Sequence, residues 1–314
     1  MGARTLYSRM ESDGVFTFRR ALPSDKAQVS ALCAKIWEGD DYLPRCYDEW
    51  VADQAGELAL CFAEDRLAGI SKLTWLAPGE AWLEGLRKDP DLNVKGVGAA
   101  LCRRYLTRLA GEPGLRSIRF STYFANHASI KLNEALGFRC IATASFKDLP
   151  GEVLKQRSLE PLAEDPCVRP VTDPAAALAF VRASGWFGTF IHQAWRSYPW
   201  SEELFVQRYV EPGHCTGLFA ENKLQALAAA LIDPTKGEGS LPFFDAADEA
   251  SGTRLLDHLE HRFAQQGAPC AAAMVPAGGA RARALLDARG WKTWEREEDY
   301  WVYEFPLERL QDYR

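Results

Sequence analysis

The chain has 314 residues, 47% of them hydrophobic and 25% charged, with a formal net charge of −6, enough for two domains of about 150 residues with real cores. The acidic balance argues against nucleic acid as the main partner. No run of about eighteen apolar residues occurs, and Met1-Gly2-Ala3-Arg4 does not lead into a signal-peptide core, so neither a membrane nor secretion is expected. The eight cysteines are scattered without a C-x-x-C pair, which reads as reduced thiols of a cytoplasmic protein holding no metal.

In chain order, residues 1–13 read as a loose tail and Phe16 to Leu22 as a first strand. Ser24 is placed to cap a helix whose buried stripe is Val29, Leu32, Cys33 and Ile36. A loop from Trp37 follows, and Pro44 ends it at the start of a second short helix. Residues 57–64 and 67–76 form a hairpin turning at Asp65-Arg66. Trp82 to Lys88 is the central strand, broken by Asp89-Pro90. Lys95-Gly96-Val97-Gly98 then leads into an amphipathic helix, with Leu101, Cys102, Tyr105, Leu106 and Leu109 on one face and Arg103, Arg104, Thr107 and Arg108 on the other. After a strand over 115–122, Asn126 caps a further helix that Gly137 ends. Residues 139–146 and 153–160 read as two more strands.

A strand, a glycine-bearing turn and a helix N-terminus in that order make an anion site. The glycines permit positive φ and close approach, while the first-turn N–H groups and the helix dipole face negative charge. Lys95 and the arginine face add positive potential. The dinucleotide fingerprint fails because Leu101 stands where its third glycine belongs, and no P-loop run exists. The turn reads as a pyrophosphate cradle.

Asn93-Val94-Lys95-Gly96-Val97-Gly98 resembles the Q/R-x-x-G-x-G/A acetyl-CoA loop of the GCN5-related N-acetyltransferases (GNAT), with Asn93 in place of Gln or Arg. About thirty residues on, Asn126, Ser129, Leu132-Asn133-Glu134 and Leu136-Gly137-Phe138 resemble that family's N-x-x-A/S-x-x-L-Y-E-x-L-G-F helix. The resemblance implies an α/β (α+β) fold, a mixed and mostly antiparallel sheet flanked by helices, with a catalytic domain over 14–161. It implies acetyl-CoA as co-substrate, contacted by Leu86, Arg87, Lys88, Asn93, Val94, Lys95, Gly96, Val97, Gly98, Ala99, Asn126 and Ser129. It also implies acetyl transfer to an amine, with the Leu86 N–H polarising the thioester carbonyl and Glu84, on one strand face with Trp82 and Leu86, as base. Asn133 occupies the place of the usual acidic Tyr and cannot give up a proton, which leaves Tyr123 as a substitute.

The second half echoes the first. FAEDRL (Phe62 to Leu67) recurs as FAENKL (Phe219 to Leu224), and EALGFRC (Glu134 to Cys140) as DARGWKT (Asp287 to Thr293), at a spacing of about 150 residues. Residues 162–314 thus read as a degenerate copy in a tandem arrangement, because Asp245, Asp248 and Glu249 replace the glycine cradle and would repel a pyrophosphate.

Asp41-Tyr42-Leu43-Pro44, Tyr47 and Trp50, with Leu83 to Arg87, resemble the histidine N-acetyltransferase group. That implies a free amino acid or similar small amine as acceptor, with Asp40 and Asp41 meeting its ammonium and Tyr42 lining the pocket. A protein acetyltransferase and a non-catalytic acyl-CoA sensor are the alternatives, and a monomer or homodimer is expected. The five histidines lack a triad partner. Trp186, Phe187, Trp195, Tyr198 and Trp200 read as core or interface, and Glu295 to Asp299 as a solvated acidic turn.

Overall fold

The computed structural model describes residues 11, 12, 14–159, 164–186, 188, 190–193, 195–233 and 237–314. Most of the expected tail, the expected domain boundary at 161–162, and Phe187 lie outside these residues. The chain forms two compact units built from non-contiguous segments. Unit 1 takes Met1–Phe120, Asn126–Arg139 and Tyr303–Arg314, and unit 2 takes Ser121–Ala125 and Cys140–Val302.

In unit 1 the sheet runs β1 (Glu11–Ser12), β2 (Thr17–Arg20), β3 (Glu57–Ala63), β4 (Arg66–Ala77), β5 (Glu80–Lys88) and β6 (Ser117–Tyr123, its first four residues in this unit). Every pairing is antiparallel except β5 with β6. Helix α1 (Lys26–Cys33) follows a 3-10 turn at Pro23–Asp25. Asp25, not Ser24, closes that start: its carboxylate accepts the Leu22 N–H at 2.8 Å and the Arg19 guanidinium.

Helix α2 (Leu43–Ala52) has Pro44 in its first turn, where the fixed φ is already helical and no N–H is missed. Its buried residues Leu43, Cys46, Tyr47 and Trp50 recur at i, i+3, i+4 and i+7 and pack with Leu58, Leu60 and Ile70 of β3 and β4. Helix α3 (Val97–Leu109) covers the other sheet face, and its Tyr105 hydroxyl bonds to the carbonyls of Glu57 and Ser71. Helix α4 (His127–Leu136) is capped by Asn126 and ended by Gly137 at φ +106°. The C-terminal segment returns to this unit: Phe305 N donates to Ile118 O at 2.9 Å, and Tyr303 stacks on Phe120.

Unit 2 repeats this strand plan. It takes β7 (Arg139–Leu149, from Cys140), α5 (Gly151–Leu159), β8 (Val168–Pro170), α6 (Pro174–Arg182), β9 (Phe190–Gln193), β10 (Arg196–Pro199) and α7 (Glu202–Phe205). β11 (Cys215–Ala220), β12 (Lys223–Ile232), β13 (Gly239–Ala246), α8 (Glu249–Gln265), β14 (Ala271–Pro276), α9 (Ala280–Ala288), β15 (Lys292–Thr293) and β16 (Tyr300–Glu304, to Val302) complete it. The order is β7-β14-β13-β12-β11-β8, and β13 with β14 is its parallel pair, as β5 with β6 is in unit 1.

The echoed segments occupy matching places. The β3–β4 and β11–β12 turns carry Glu64 and Glu221 at positive φ, and Gly137 and Gly290 sit at positive φ just beyond α4 and α9.

The expected strand over 153–160 is instead the helix α5, as far as residue 159. Lys155, Gln156 and Arg157 are good helix formers that lose little rotamer freedom there. Leu154 is its one buried residue, so no alternating pattern held it in a sheet.

Candidate active site

The site is organised by a defect in β5. Ile70 pairs with Arg87 and Lys72 with Glu84, so the single residue Ser71 on β4 faces two residues, Gly85 and Leu86, on β5. This is a β-bulge, and Gly85 at φ +65° supplies the left-handed step it needs. A Cβ there would meet the Trp50 ring at 2.5 Å, so glycine is required for space as well as for conformation.

The bulge decides where the site side chains point. Directly opposed antiparallel residues share a face, so Trp82, Glu84 and Arg87 all lie on the face covered by α2. Leu86 lies on the α3 side, its Cδ2 within 3.5 Å of where a Gly98 Cβ would stand. The expectation that Glu84, Trp82 and Leu86 share one face is therefore corrected for Leu86: strict alternation fails at the extra residue. The bulge also removes Gly85 and Leu86 from the β4 register. On the other edge β5 pairs with β6 over Glu80 to Trp82.

At the foot of α3 the cradle has the expected form. Gly96 is the N-cap at φ +90°, and no side chain caps the helix, leaving the amides of Val97, Gly98 and Ala99 for an anion. A Cβ on Gly98 would meet Leu132 of α4 at 2.9 Å, so Gly98 lets β5, α3 and α4 close on one another. Val94, Gly98 and Ala99 are half-buried, and Lys88, Asn93 and Lys95 are exposed. The donor set suits a pyrophosphate. Less of the arginine face contributes than the sequence suggests, because Arg104 and Arg108 both bind the buried Glu57 carboxylate, at 2.8 and 2.5 Å.

On the α2 face, Glu84 is half-buried, and Oε1 accepts from Thr74 Oγ1 at 2.6 Å, which fixes its carboxylate. Arg87 is buried against Asp41, Nε to Oδ2 at 2.7 Å and Nη2 to Oδ1 at 3.0 Å. Its guanidinium also lies over the rings of Trp37 at 4.4 Å and Tyr42 at 5.2 Å. Burial opposes the Arg87 charge, but Asp41 and Tyr42 together outweigh it and raise its pKa. Burial pushes the Tyr42 phenol up to about 12, with Arg87 opposing, so Tyr42 stays protonated. Trp37 and Glu38 are held at φ +46° and +57°, and Trp37 is 59% exposed over the guanidinium.

Two expectations, for Asp41 and Arg87, are corrected here. Asp41 is buried and spent on Arg87 and the Leu43 N–H, so its carboxylate is not open to a substrate ammonium. The Arg87 side chain faces Asp41 rather than the cradle. Asp40 is exposed beside Arg45, at 3.7 Å. Of the proposed substrate residues, Asp41 and Tyr42 both lie against Arg87 at the bulge, and Tyr42 is the one not spent on an ion pair.

Asn126 uses its side-chain oxygen to cap α4, accepting from Ser129 N at 3.2 Å. Asn133 is buried and donates to Ser129 O at 2.9 Å, so it stitches the helix rather than facing a leaving group. Tyr123 belongs to unit 2, packed on Trp294. Burial and the nearby Glu295 push its phenol up to about 12, which makes it a poorer acid than an ordinary tyrosine.

In unit 2 the corresponding helix start is closed from within. Asp248 caps α8, accepting from Ser251 N at 2.8 Å and Ser251 Oγ at 3.0 Å, and Arg281 pairs with the buried Asp245. His192, expected to lack a triad partner, bonds through Nδ1 to Ser197 Oγ at 2.8 Å, and that oxygen meets the Tyr300 hydroxyl at 2.7 Å. All three are buried, and burial lowers His192 to about 4. Sequence reasoning missed Gly85, Thr74 and the Arg87–Asp41 pair; a lone glycine inside an apolar strand was the one available signal.

Among the described residues no cluster of three or more candidate ligands could hold a metal, and no helix is long and apolar enough to cross a membrane.

Residues 26–138 match the model of the acetyltransferase (GNAT) family. The chain is 31% identical over 87 residues to a histidine N-acetyltransferase of Oreochromis niloticus, covering 27% of this chain and 26% of that protein. It is 30% identical over 92 residues to the one of Xenopus tropicalis, covering 29% and 28%. The matched stretch is thus little more than a quarter of either relative. Among solved structures, a GCN5-related N-acetyltransferase from Sphaerobacter thermophilus aligns with TM-score 0.64 at 14% identity over 93% of this chain and 96% of that one. A putative acetyltransferase from Thermoplasma acidophilum aligns with TM-score 0.57 at 16% identity over 92% and 98%. Bulged central strand, glycine-capped helix and family match agree: residues 26–138 are similar to the GNAT acetyltransferases, and over a short stretch the chain resembles the histidine N-acetyltransferases.

Proposed function

We propose that the chain is an acetyl-CoA-dependent N-acetyltransferase whose acceptor is the primary amine of a free amino acid, histidine-like in kind. The observation that carries this reading is the β5 bulge. It sends Leu86 toward the uncapped start of α3, where coenzyme A would lie along Val97, Gly98 and Ala99, and it leaves Glu84 on the opposite face beside Tyr42. Acetyl-CoA supplies the activated acetyl group. The Leu86 N–H would bind the carbonyl oxygen as negative charge develops there. Glu84 would take the proton of the incoming ammonium, directly or through water, so that the neutral amine attacks.

With Asn133 spent on Ser129, no side chain is assigned as general acid. A thiol of pKa about 8.5 leaves well as the anion. Residues 14–161 would supply this chemistry, and 162–314 would be a degenerate copy that holds no coenzyme.

Asn133 also supports a second reading, a non-catalytic acyl-CoA sensor. Glu84→Gln separates the two. Loss of turnover with acetyl-CoA affinity retained supports the enzyme, and a wild-type protein that binds acetyl-CoA but never turns it over supports the sensor.

A further inference from the structure

The acidic turn before β16 is not wholly solvated. Asp299 is 1% exposed; its Oδ1 accepts the Phe146 N–H at 2.8 Å, and its Oδ2 has no hydrogen-bond partner. The Tyr123 hydroxyl is also buried and faces the Glu295 carboxylate, to which it can donate. The two groups are neighbours: the Asp299 carbonyl accepts the N–H of Phe124, the residue after Tyr123, and the Asp299 charge helps raise the Tyr123 phenol. A buried carboxylate oxygen with no donor is costly, and the neighbouring phenol oxygen can accept a hydrogen bond while its own proton goes to Glu295.

Tyr123 also belongs to a run of aromatic rings in contact with one another. Trp294 lies 5.0 Å from Tyr123, 5.4 Å from Phe146 and 5.9 Å from Trp195, and Trp195 lies 5.4 Å from Tyr300. Trp294 is the outermost of them, 56% exposed despite these contacts. The neighbouring charge favours a cation. Lys147 is already engaged by Asp287 and Thr293, and Arg296 sits over Phe124, whereas Glu295 adds a second carboxylate beside Tyr123.

We propose that Tyr123, Phe146, Trp195, Trp294, Asp299 and Tyr300 form a binding site for a small organic ammonium ion, its N–H groups reaching Asp299 Oδ2 and Tyr123 and its cation facing the indoles. Carboxylate and aromatic faces together are the chemistry that selects such an ion over a neutral molecule of the same shape. The site lies within unit 2 and does not depend on the acetyltransferase reading.

The test is isothermal titration calorimetry of the full chain with benzylammonium, benzyl alcohol and tetramethylammonium. Saturable 1:1 binding of benzylammonium is expected. Tetramethylammonium, which has no N–H, should bind more weakly, and benzyl alcohol should not bind. Asp299→Asn, which keeps an acceptor for Phe146 N, should weaken benzylammonium by about tenfold or more, the scale of a charged hydrogen bond. Trp294→Ala should weaken it as well, and because that side chain is largely exposed the variant decides the matter should Asp299→Asn fail to fold. No saturable heat (a buried water only), equal binding of benzyl alcohol, or unchanged affinity in Trp294→Ala would overturn the proposal.

Discussion

Arg87 and Asp41 show why a residue type does not reveal its use. The acidic pair at 40–41 suggests a place for a substrate ammonium, yet Asp41 is buried on Arg87 and only Asp40 meets solvent. Removing one partner of a buried pair strands the other charge, so Asp41→Asn should destabilise the fold by about 3–5 kcal/mol, read as a lower urea midpoint; an unchanged midpoint would contradict the pairing. Glu57 makes a pH prediction. Burial opposes its charge, but Arg104 and Arg108 prevail and its pKa falls below the ordinary 4.5. The folded state then holds the proton less tightly than the unfolded one. The stabilisation is therefore complete above about pH 4.5 and is lost as pH falls through the lower folded value. Urea unfolding of wild type and Glu57→Gln should show a stability gap at pH 7 that narrows toward pH 3.

At the scale of elements, the glycines differ in what they do. Gly96 sits at φ +90° where a Cβ would meet the Phe16 ring only at an ordinary 3.9 Å, whereas Gly85 sits at φ +65° with Trp50 against it. Gly96→Ala should cost about 1–2 kcal/mol of backbone strain. Gly85→Ala should add an overpacking term of about 1–3 kcal/mol and lower turnover with the bulge. Thermal unfolding of the two variants checks the order, and equal losses would contradict the assignment. The glycine turn, α3 and the capped α4 were legible because each is fixed by local chemistry: positive φ, an amphipathic period and an Asn cap. The bulge was not, since a two-against-one register depends on the neighbouring strand. The helix α5 was misread because Val153-Leu154 looks strand-like until the straight-chain residues after it are weighed.

Across the whole molecule, both units carry the same strand order and the same parallel pair, but of the two helices that follow the central strands β5 and β13, α3 begins uncapped and α8 does not. The α8 start is occupied by its own Asp248 and Ser251. Calorimetric titration should therefore find one acetyl-CoA per chain, and a second site of comparable affinity would contradict the reading of residues 162–314. The FAEDRL and FAENKL echo anticipated the repeated plan, because turn residues at positive φ leave a sequence trace. The assembly of each unit from separated segments left no such trace, since it depends on which strands pair rather than on any local signal. The central claim is acetyl transfer to a small free amine. It is tested most directly by incubating the pure chain with acetyl-CoA and separate free amino acids, polyamines and short peptides while following thiol release. Release with histidine or another free amino acid, abolished by Glu84→Gln, is the predicted result. Release with peptides alone, or none with any acceptor despite acetyl-CoA binding, would contradict it.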